Sequence, residues 1–142
     1  MLKRKCFKLN TDGSWMNLDN AGGGGVIRCA KGLWQEGFSI NFNAMSAASS
    51  ELLAIREGLL TARKRRIQFL DLETDADALT KMLKNPYSFK DHDQGNIIKN
   101  VASILDRYWN VTIFHAKRTV NLVDDRLATI GRTKVKKGEK EI

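Results

Sequence analysis

Apolar and polar residues alternate through the first part of the chain, which is the spacing of β-strands with one buried face. Phe7, Leu9 and Thr11 share one side of the first such run, which leads into Asp-Gly-Ser, a common turn sequence. The alternation predicts a strand over residues 5–12. A second strand is predicted over 21–30, where a glycine run leads into Val26, Ile27 and Cys29, and a third over 33–42. Because the connections between these strands are short, we expect them to form an antiparallel meander.

The pattern then changes to the period of helices. An apolar stripe at helical spacing predicts a helix over residues 47–65, which Ser46 or Ser49 can cap. The stripe consists of Leu52, Ile55, Leu59 and Ala62. Further along, the pattern predicts strands over 66–75 and 110–116 and helices over 75–84, 94–108 and 120–130. A meander followed by alternating helices and strands predicts an α/β fold with a mixed sheet flanked by helices.

Length and composition are those of a globular protein. The chain has 142 residues, of which 42% are hydrophobic and 28% charged, so we expect one domain over residues 1–131 and a flexible basic tail over 132–142. No apolar stretch is long enough to cross a bilayer, and no signal-peptide core follows the N-terminus, so an intracellular protein is expected. Cys6 and Cys29 fit no zinc-binding spacing and are expected to be reduced and buried.

The net charge of +8 indicates a polyanionic partner, with nucleic acid first and an anionic membrane surface second. The basic residues cluster near the N-terminus, in the tail, and in the run from Arg63 to Arg66 at the end of the first predicted helix. That run has a second interpretation, in which it is a solvated surface that compensates the negative end of the helix dipole.

Three acidic residues stand where predicted elements begin or end. Asp12 closes the first strand, Glu51 lies in the first turn of the first helix beside its apolar stripe, and Asp75 closes the fourth strand. A carboxylate near a buried edge needs a partner or a metal ion. Alternatively, Glu51 is favoured by the helix dipole and Asp75 caps the following helix.

A further acidic pair lies early in the last predicted helix. Helical spacing places Asp124 nearer the buried stripe than Asp125, but spacing alone does not choose between them. Clustered carboxylates repel one another unless cations neutralise them. Hard oxygen ligands suit Mg²⁺, with Mn²⁺ as a substitute, and a pair of such ions can assist phosphodiester cleavage.

Five stretches in this order resemble the ribonuclease H family, and most closely its reverse-transcriptase-associated domains of plant type. They are "KLNTDGSW", "AGGGGVIR", "SSELLAIREGL", "LDLETDADAL" and "NLVDDRLATIG", which together extend from about residue 7 to residue 131. The resemblance implies a ribonuclease H-like, five-stranded mixed sheet whose central strand is the first. It also implies metal-dependent cleavage of the RNA strand of RNA–DNA hybrids, by a monomer or by a domain of a longer polypeptide.

The resemblance also implies roles for individual residues. The family's four metal-binding acids correspond to Asp12, Glu51, Asp75 and Asp125, which would hold two Mg²⁺ ions, with Asp124 as the alternative to Asp125. His115 stands where the family often has a histidine for proton transfer or product release; otherwise it is a strand-end residue with a local hydrogen bond. The nucleic-acid contacts implied are Ser14, Arg118 and Asn121.

The chain also departs from the family pattern. The usual loop after the first motif is replaced by "MNLDNAGG", and Ala47 stands where some members have an asparagine that helps to recognise RNA. These departures favour a second hypothesis, a nucleic-acid-binding module on the same fold with weak or no catalysis. The sequence "DHD" at 91–93 is interpreted as a polar loop rather than a metal site.

Overall fold

The computed structural model describes residues 6–86, 95–107, 109–115 and 122–141, with side chains in the last range from Arg126 onward. One mixed sheet of six strands runs through these residues in the order β5-β4-β1-β2-β3-β6. The strands are β1 (Cys6–Asn17), β2 (Asn20–Cys29), β3 (Trp34–Phe42), β4 (Phe69–Thr74), β5 (Asn110–His115) and β6 (Lys140–Glu141). The predicted meander is confirmed, since β2 pairs antiparallel with both β1 and β3. The predicted mixed sheet is confirmed as well, since β4 pairs parallel with β1 and with β5.

Helices cover both faces of the sheet. They are α1 (Ala47–Lys64), α2 (Asp77–Lys84), α3 (Gly95–Leu105) and α4 (Leu122–Lys134). Successive residues of a strand face opposite sides, and Gly23 of β2 faces Ala54 of α1 whereas Gly24 faces Leu127 of α4. Helix α1 therefore lies on one face with α3 packed against it, and α4 lies on the other.

Helix α1 has the predicted boundaries and the predicted buried stripe. Ser46 is its N-cap, and the Ser46 side chain accepts a hydrogen bond from the Ser49 backbone N–H at 3.1 Å. The stripe residues are fully buried against the sheet: Leu52, Ile55, Leu59 and Ala62. The helical period in the sequence thus identified the packing face of the longest helix.

The predicted turn at Asp-Gly-Ser is wrong, because β1 continues through it to Asn17. Gly13 pairs with Gly23 and Ser14 with Gly22, so both residues belong to the ladder with β2. Gly13 is required for close packing: a Cβ atom there would lie 2.6 Å from the carbonyl carbon of Ser50 in α1. The glycine allows the start of α1 to approach the backbone of β1.

The C-terminal part of the chain is more ordered than the flexible tail we predicted. Helix α4 continues past Gly131 to Lys134, and Lys140–Glu141 add a short strand to β3. The Lys140 ammonium also lies 3.6 Å from the Glu57 carboxylate of α1 and donates to Thr61 Oγ1 at 3.2 Å. Because strand pairing and these contacts hold residues 140–141, the sheet gains a sixth strand beyond the five predicted.

Both cysteines are free, and each is half-buried rather than buried. Desolvation raises the pKa of the Cys6 thiol, and the nearby Asp71 carboxylate raises it further. Desolvation raises the pKa of the Cys29 thiol, but backbone hydrogen bonds at Leu33 and Lys31 lower it by more, so the pKa lies below its usual value. Among the helices of the described ranges, none is long and apolar enough to cross a membrane.

Candidate metal centre

Two of the predicted acids are brought together by strand register. Strands β1 and β4 run parallel, with Asn10 opposite Glu73, and the Asn10 amide donates to Glu73 Oε2 at 2.9 Å. Asp12 lies two residues beyond Asn10 on the same face of β1, and Asp75 lies two residues beyond Glu73, just after β4. Asp12 is 6% exposed, and Asp75 is half-buried immediately after β4 ends. The interpretation of Asp75 as a helix cap is wrong, because the N-cap of α2 is Ala76.

The third acid of the site, Glu51, belongs to α1. Glu51 is half-buried and is the fifth residue of the helix, so it lies in the second turn and not in the first as expected. The helix dipole acts mainly on the first turn, which weakens the interpretation of Glu51 as a dipole-compensating residue. A Cβ atom at Gly13 would lie 2.7 Å from the Glu51 backbone nitrogen. The absence of a side chain at Gly13 therefore brings Glu51 up to the neighbouring Asp12.

Asp12, Glu51 and Asp75 form one cluster, in which one carboxylate oxygen of each residue lies within 4.8 Å of the other two. Within this cluster, Asp12 Oδ1 accepts a hydrogen bond from the Gly13 backbone N–H at 3.1 Å. Three anionic oxygen donors so close together repel one another, and a hard divalent cation relieves that repulsion. The donor set thus fits Mg²⁺ or Mn²⁺.

His115 lies beside this cluster. It is the last residue of β5 and pairs with Thr74 of β4, and its ring Nε2 lies 3.1 Å from the Asp75 backbone oxygen. A carbonyl oxygen can only accept, so this contact places a hydrogen on Nε2 and leaves Nδ1 to bind or release a proton. The ring is exposed to solvent.

Ser14 lies on the same face of β1 as Asp12 and contacts Arg132, the first residue of the predicted flexible tail. Arg132 Nε donates to Ser14 Oγ at 2.7 Å, and its Nη1 donates to Asn20 Oδ1 at 3.3 Å. The helical spacing of Ala128, Gly131 and Val135, all of them buried, indicates that the helix extends past the predicted end at residue 130 and so includes Arg132. Arg132 therefore joins the surroundings of the acidic cluster.

The remaining predicted site residues lie outside what the structure describes. Arg118, Asn121 and the sequence at 91–93 are in undescribed ranges. The backbone of Asp124 and Asp125 belongs to α4, but their side chains are not described. The choice between these two acids, and the role of each undescribed residue, stays a prediction.

The sheet order, with carboxylates converging from its central strand, the neighbouring parallel strand and the first helix, defines a ribonuclease H-like protein. The family model described as "Reverse transcriptase-like" matches residues 10–131. The chain belongs to this family of ribonuclease H domains, as its motifs predicted.

The chain is also similar to a curated protein of Arabidopsis thaliana, named "Putative ribonuclease H protein At1g65750". The two are 34% identical over 122 residues, which are 85% of this chain and 20% of that protein. The chain thus spans about a fifth of the length of this relative.

Solved structures confirm the predicted fold. Ribonuclease H1 of the archaeon Halobacterium salinarum superimposes with a TM-score of 0.82 at 19% identity, covering 89% of this chain and 96% of that one. The LC11 ribonuclease H1, solved in complex with an RNA/DNA hybrid, gives a TM-score of 0.81 at 19% identity, covering 90% and 97%. At these identities the likeness establishes the shared fold.

Proposed function

We propose that the chain is a divalent-metal-dependent endonuclease that cleaves the RNA strand of RNA–DNA hybrids. The observation that carries this proposal is the convergence of Asp12, Glu51 and Asp75 within 4.8 Å of one another. The three residues come from β1, α1 and the end of β4, and so from widely separated parts of the sequence. Bringing three carboxylates together is electrostatically unfavourable without a cation, so the arrangement favours a metal-binding function over a structural one.

In this proposal, Asp12, Glu51 and Asp75 hold two Mg²⁺ ions, together with Asp125 of α4. The bound ions would supply an activated water and charge stabilisation for the departing oxygen. His115 Nε2 is held against the Asp75 backbone at 3.1 Å, which leaves Nδ1 to carry a proton between the reacting oxygens and solvent. Arg132 restrains Ser14 through the 2.7 Å hydrogen bond, so that the Ser14 hydroxyl is held in place for a substrate phosphate or sugar.

Two observations support a nucleic acid as the substrate, namely the positive net charge of the chain and its membership of the ribonuclease H family. The net charge of +8 favours a polyanion, and the similar LC11 ribonuclease H1 was solved with an RNA/DNA hybrid. Since the chain spans a fifth of its curated relative, we further propose that this activity belongs to one domain of a longer polypeptide.

A hybrid-cleavage assay tests the proposal. A labelled RNA–DNA hybrid is incubated with the protein and Mg²⁺, and cleavage of the RNA strand is followed by gel electrophoresis. Asp75→Asn is expected to lower the rate on the order of 100-fold or more, because an amide lacks the charge that holds the cation. Asp77→Asn is the matched control: Asp77 is exposed, lies two residues further on, and pairs with Lys81 at 3.5 Å.

Two outcomes contradict the nuclease proposal. The first is an absence of cleavage by the folded wild-type protein, and the second is an equal effect of Asp75→Asn and Asp77→Asn. Retained hybrid binding without any cleavage would instead support the second hypothesis, a nucleic-acid-binding module on this fold.

A further inference from the structure

The basic run Arg63–Arg66 lies at the C-terminal end of α1, at the opposite end of that helix from Glu51. Arg63 lies twelve positions after Glu51 in α1, which corresponds to roughly 18 Å along the helix axis. The run is therefore well removed from the acidic cluster. Lys64 and Arg66 are exposed to solvent, so their charges are available to a partner.

Arg66 occupies a position that the backbone would favour for glycine. Its φ angle is 58°, in the left-handed region, and it is the one non-glycine residue with positive φ within the described ranges. The surrounding hydrogen bonds are those of a Schellman helix end: Ile67 N–H donates to the Ala62 oxygen at 3.3 Å, and Arg66 N–H donates to the Arg63 oxygen at 2.9 Å. An arginine is sterically unfavourable in this conformation, which suits glycine better. The geometry of the helix end therefore does not explain why an arginine stands here.

Two other members of the run are held in place by neighbouring side chains. The Arg63 guanidinium lies over the Trp109 ring, 5.3 Å from its centroid, and Arg65 Nη1 lies 3.1 Å from Glu36 Oε1. These contacts reduce the conformational entropy that Arg63 and Arg65 would lose on binding a partner. Lys64 and Arg66 stand beside this ordered pair.

A shallow cleft of about 500 Å³ adjoins the run at Arg63 and Lys64, whereas Arg65 and Arg66 line a separate depression next to it in sequence. Arg63, Lys64, Arg107 and Lys140 line it, together with Leu60 and Glu57. The carboxylate in this group is compensated, because Glu57 lies 3.6 Å from Lys140 Nζ and 3.4 Å from Arg56 Nη2. The cleft and the run together carry a net positive charge.

We propose that this surface, the helix-end basic face of Arg63, Lys64, Arg66 and Arg107, contacts the phosphate backbone of a nucleic acid. Arginine guanidinium groups match phosphate oxygens in geometry and charge. Dipole compensation accounts for basic residues in the last turn of α1, where Arg63 and Lys64 lie, but not for an arginine beyond it in a left-handed conformation. The contact lies outside the acidic cluster and does not depend on cleavage.

Fluorescence anisotropy with a labelled hybrid of about twenty base pairs, in EDTA and over a series of NaCl concentrations, tests this contact. The variants are Arg66→Gly, Lys64→Gln and the double variant. Each removed contact is expected to reduce the slope of log K against log salt by about 1, and the double variant should raise Kd roughly 3- to 10-fold at low salt. Arg66→Gly should not lower the melting temperature, so weaker binding cannot be attributed to unfolding.

Lys136→Gln serves as the control, because Lys136 is exposed. It directly precedes Lys137, whose Nζ donates to the Asp19 backbone oxygen at 2.7 Å, beyond the far end of β1. Unchanged Kd and salt slope in the double variant would overturn the proposal, as would an equal loss from Lys136→Gln. Measured without divalent ions, this result is separate from the nuclease test. If the protein never cleaves the hybrid but its variants bind the hybrid more weakly as expected, the basic-face proposal is supported and the nuclease proposal is rejected.

Discussion

The two ends of α1 differ in how the protein fixes a group of charges. At the N-terminal end, the acidic cluster is enclosed: the helix backbone touches β1 at Gly13, and Asp12 is buried. At the C-terminal end, the basic residues are exposed or partly exposed and are restrained by a helix cap, an aromatic ring and an ion pair. The acidic positions therefore depend on backbone packing, whereas the basic ones depend on local conformation. Substitutions at the two ends should differ accordingly in size and sign.

The largest effect is expected where the two backbones meet. In Gly13→Ala the new methyl group would lie 2.6 Å from the Ser50 carbonyl carbon and 2.7 Å from the Glu51 nitrogen. Since backbone atoms cannot move aside cheaply, the free energy of unfolding should fall by about 3 kcal/mol. Urea unfolding followed by circular dichroism measures this loss.

Gly32→Ala is the control for Gly13→Ala. Gly32 has a φ angle of 80°, and no atom lies within 4 Å of the position that a methyl group would take there, so only backbone strain of roughly 1 kcal/mol is expected. Equal losses in the two variants would show that close packing of α1 on β1 is not what makes Gly13 necessary.

A smaller effect is expected from the charges of the acidic cluster. At a Mg²⁺ concentration ten times its Kd, binding to the native state should add about 1.4 kcal/mol of stability. Asp12→Asn should abolish much of this gain while leaving the metal-free protein as stable or more stable, because it removes one of three mutually repelling charges. Thermal unfolding in MgCl₂ and in NaCl of equal ionic strength distinguishes the two effects. An equal response to both salts would argue against a divalent site.

The sequence was sufficient to predict the architecture, because the architecture follows from periodicity. The helical stripe over 47–65 became α1 with nearly the expected bounds, whereas the strand predicted over 5–12 became β1, which begins as expected but continues to Asn17. The periodicity of a sequence does not show which element packs against a glycine. Asp-Gly-Ser was therefore interpreted as a turn, although it lies in the middle of β1.

For the site, the sequence supplied the identities of the acids but not their geometry. The convergence of Asp12 and Asp75 depends on parallel register, and that of Glu51 depends on the contact at Gly13, neither of which local patterns encode. Arg132 was missed for a related reason. A basic residue after a glycine resembles a loose tail, and only the helical spacing of the buried residues Ala128, Gly131 and Val135 indicated that the helix extends past residue 130.

The start of α1 can be weakened without changing any charge. Ser46→Ala removes the acceptor for the Ser49 N–H, and loss of an N-cap typically lowers stability by about 1 kcal/mol. Ser46→Asn should restore most of it, since asparagine is also a good N-cap. Chemical denaturation of the three proteins measures the difference, and an equal loss in both variants would show that capping is not the role of Ser46.

The smallest effect is expected at the other end of α1, and it has the opposite sign. Arg66→Gly relieves a left-handed conformation that costs about 1–2 kcal/mol for a residue with a side chain. Glycine also increases the entropy of the unfolded chain, which cancels roughly 0.5–1 kcal/mol of this stabilisation. The free energy of unfolding should therefore rise by about 0.5 kcal/mol. Urea unfolding at high salt, where charge repulsion is screened, measures this gain.

Arg65→Gly is the matched substitution for Arg66→Gly. Arg65 has an ordinary φ angle of −80° and an ion pair with Glu36, so glycine there should lower stability by roughly 0.5–1 kcal/mol. Opposite signs at adjacent arginines would establish that Arg66 is retained against the preference of its own backbone. Equal destabilisation would instead mean that Arg66 is not left-handed in solution, and the helix-end basic face would lose the observation that distinguishes it from an ordinary charged helix end.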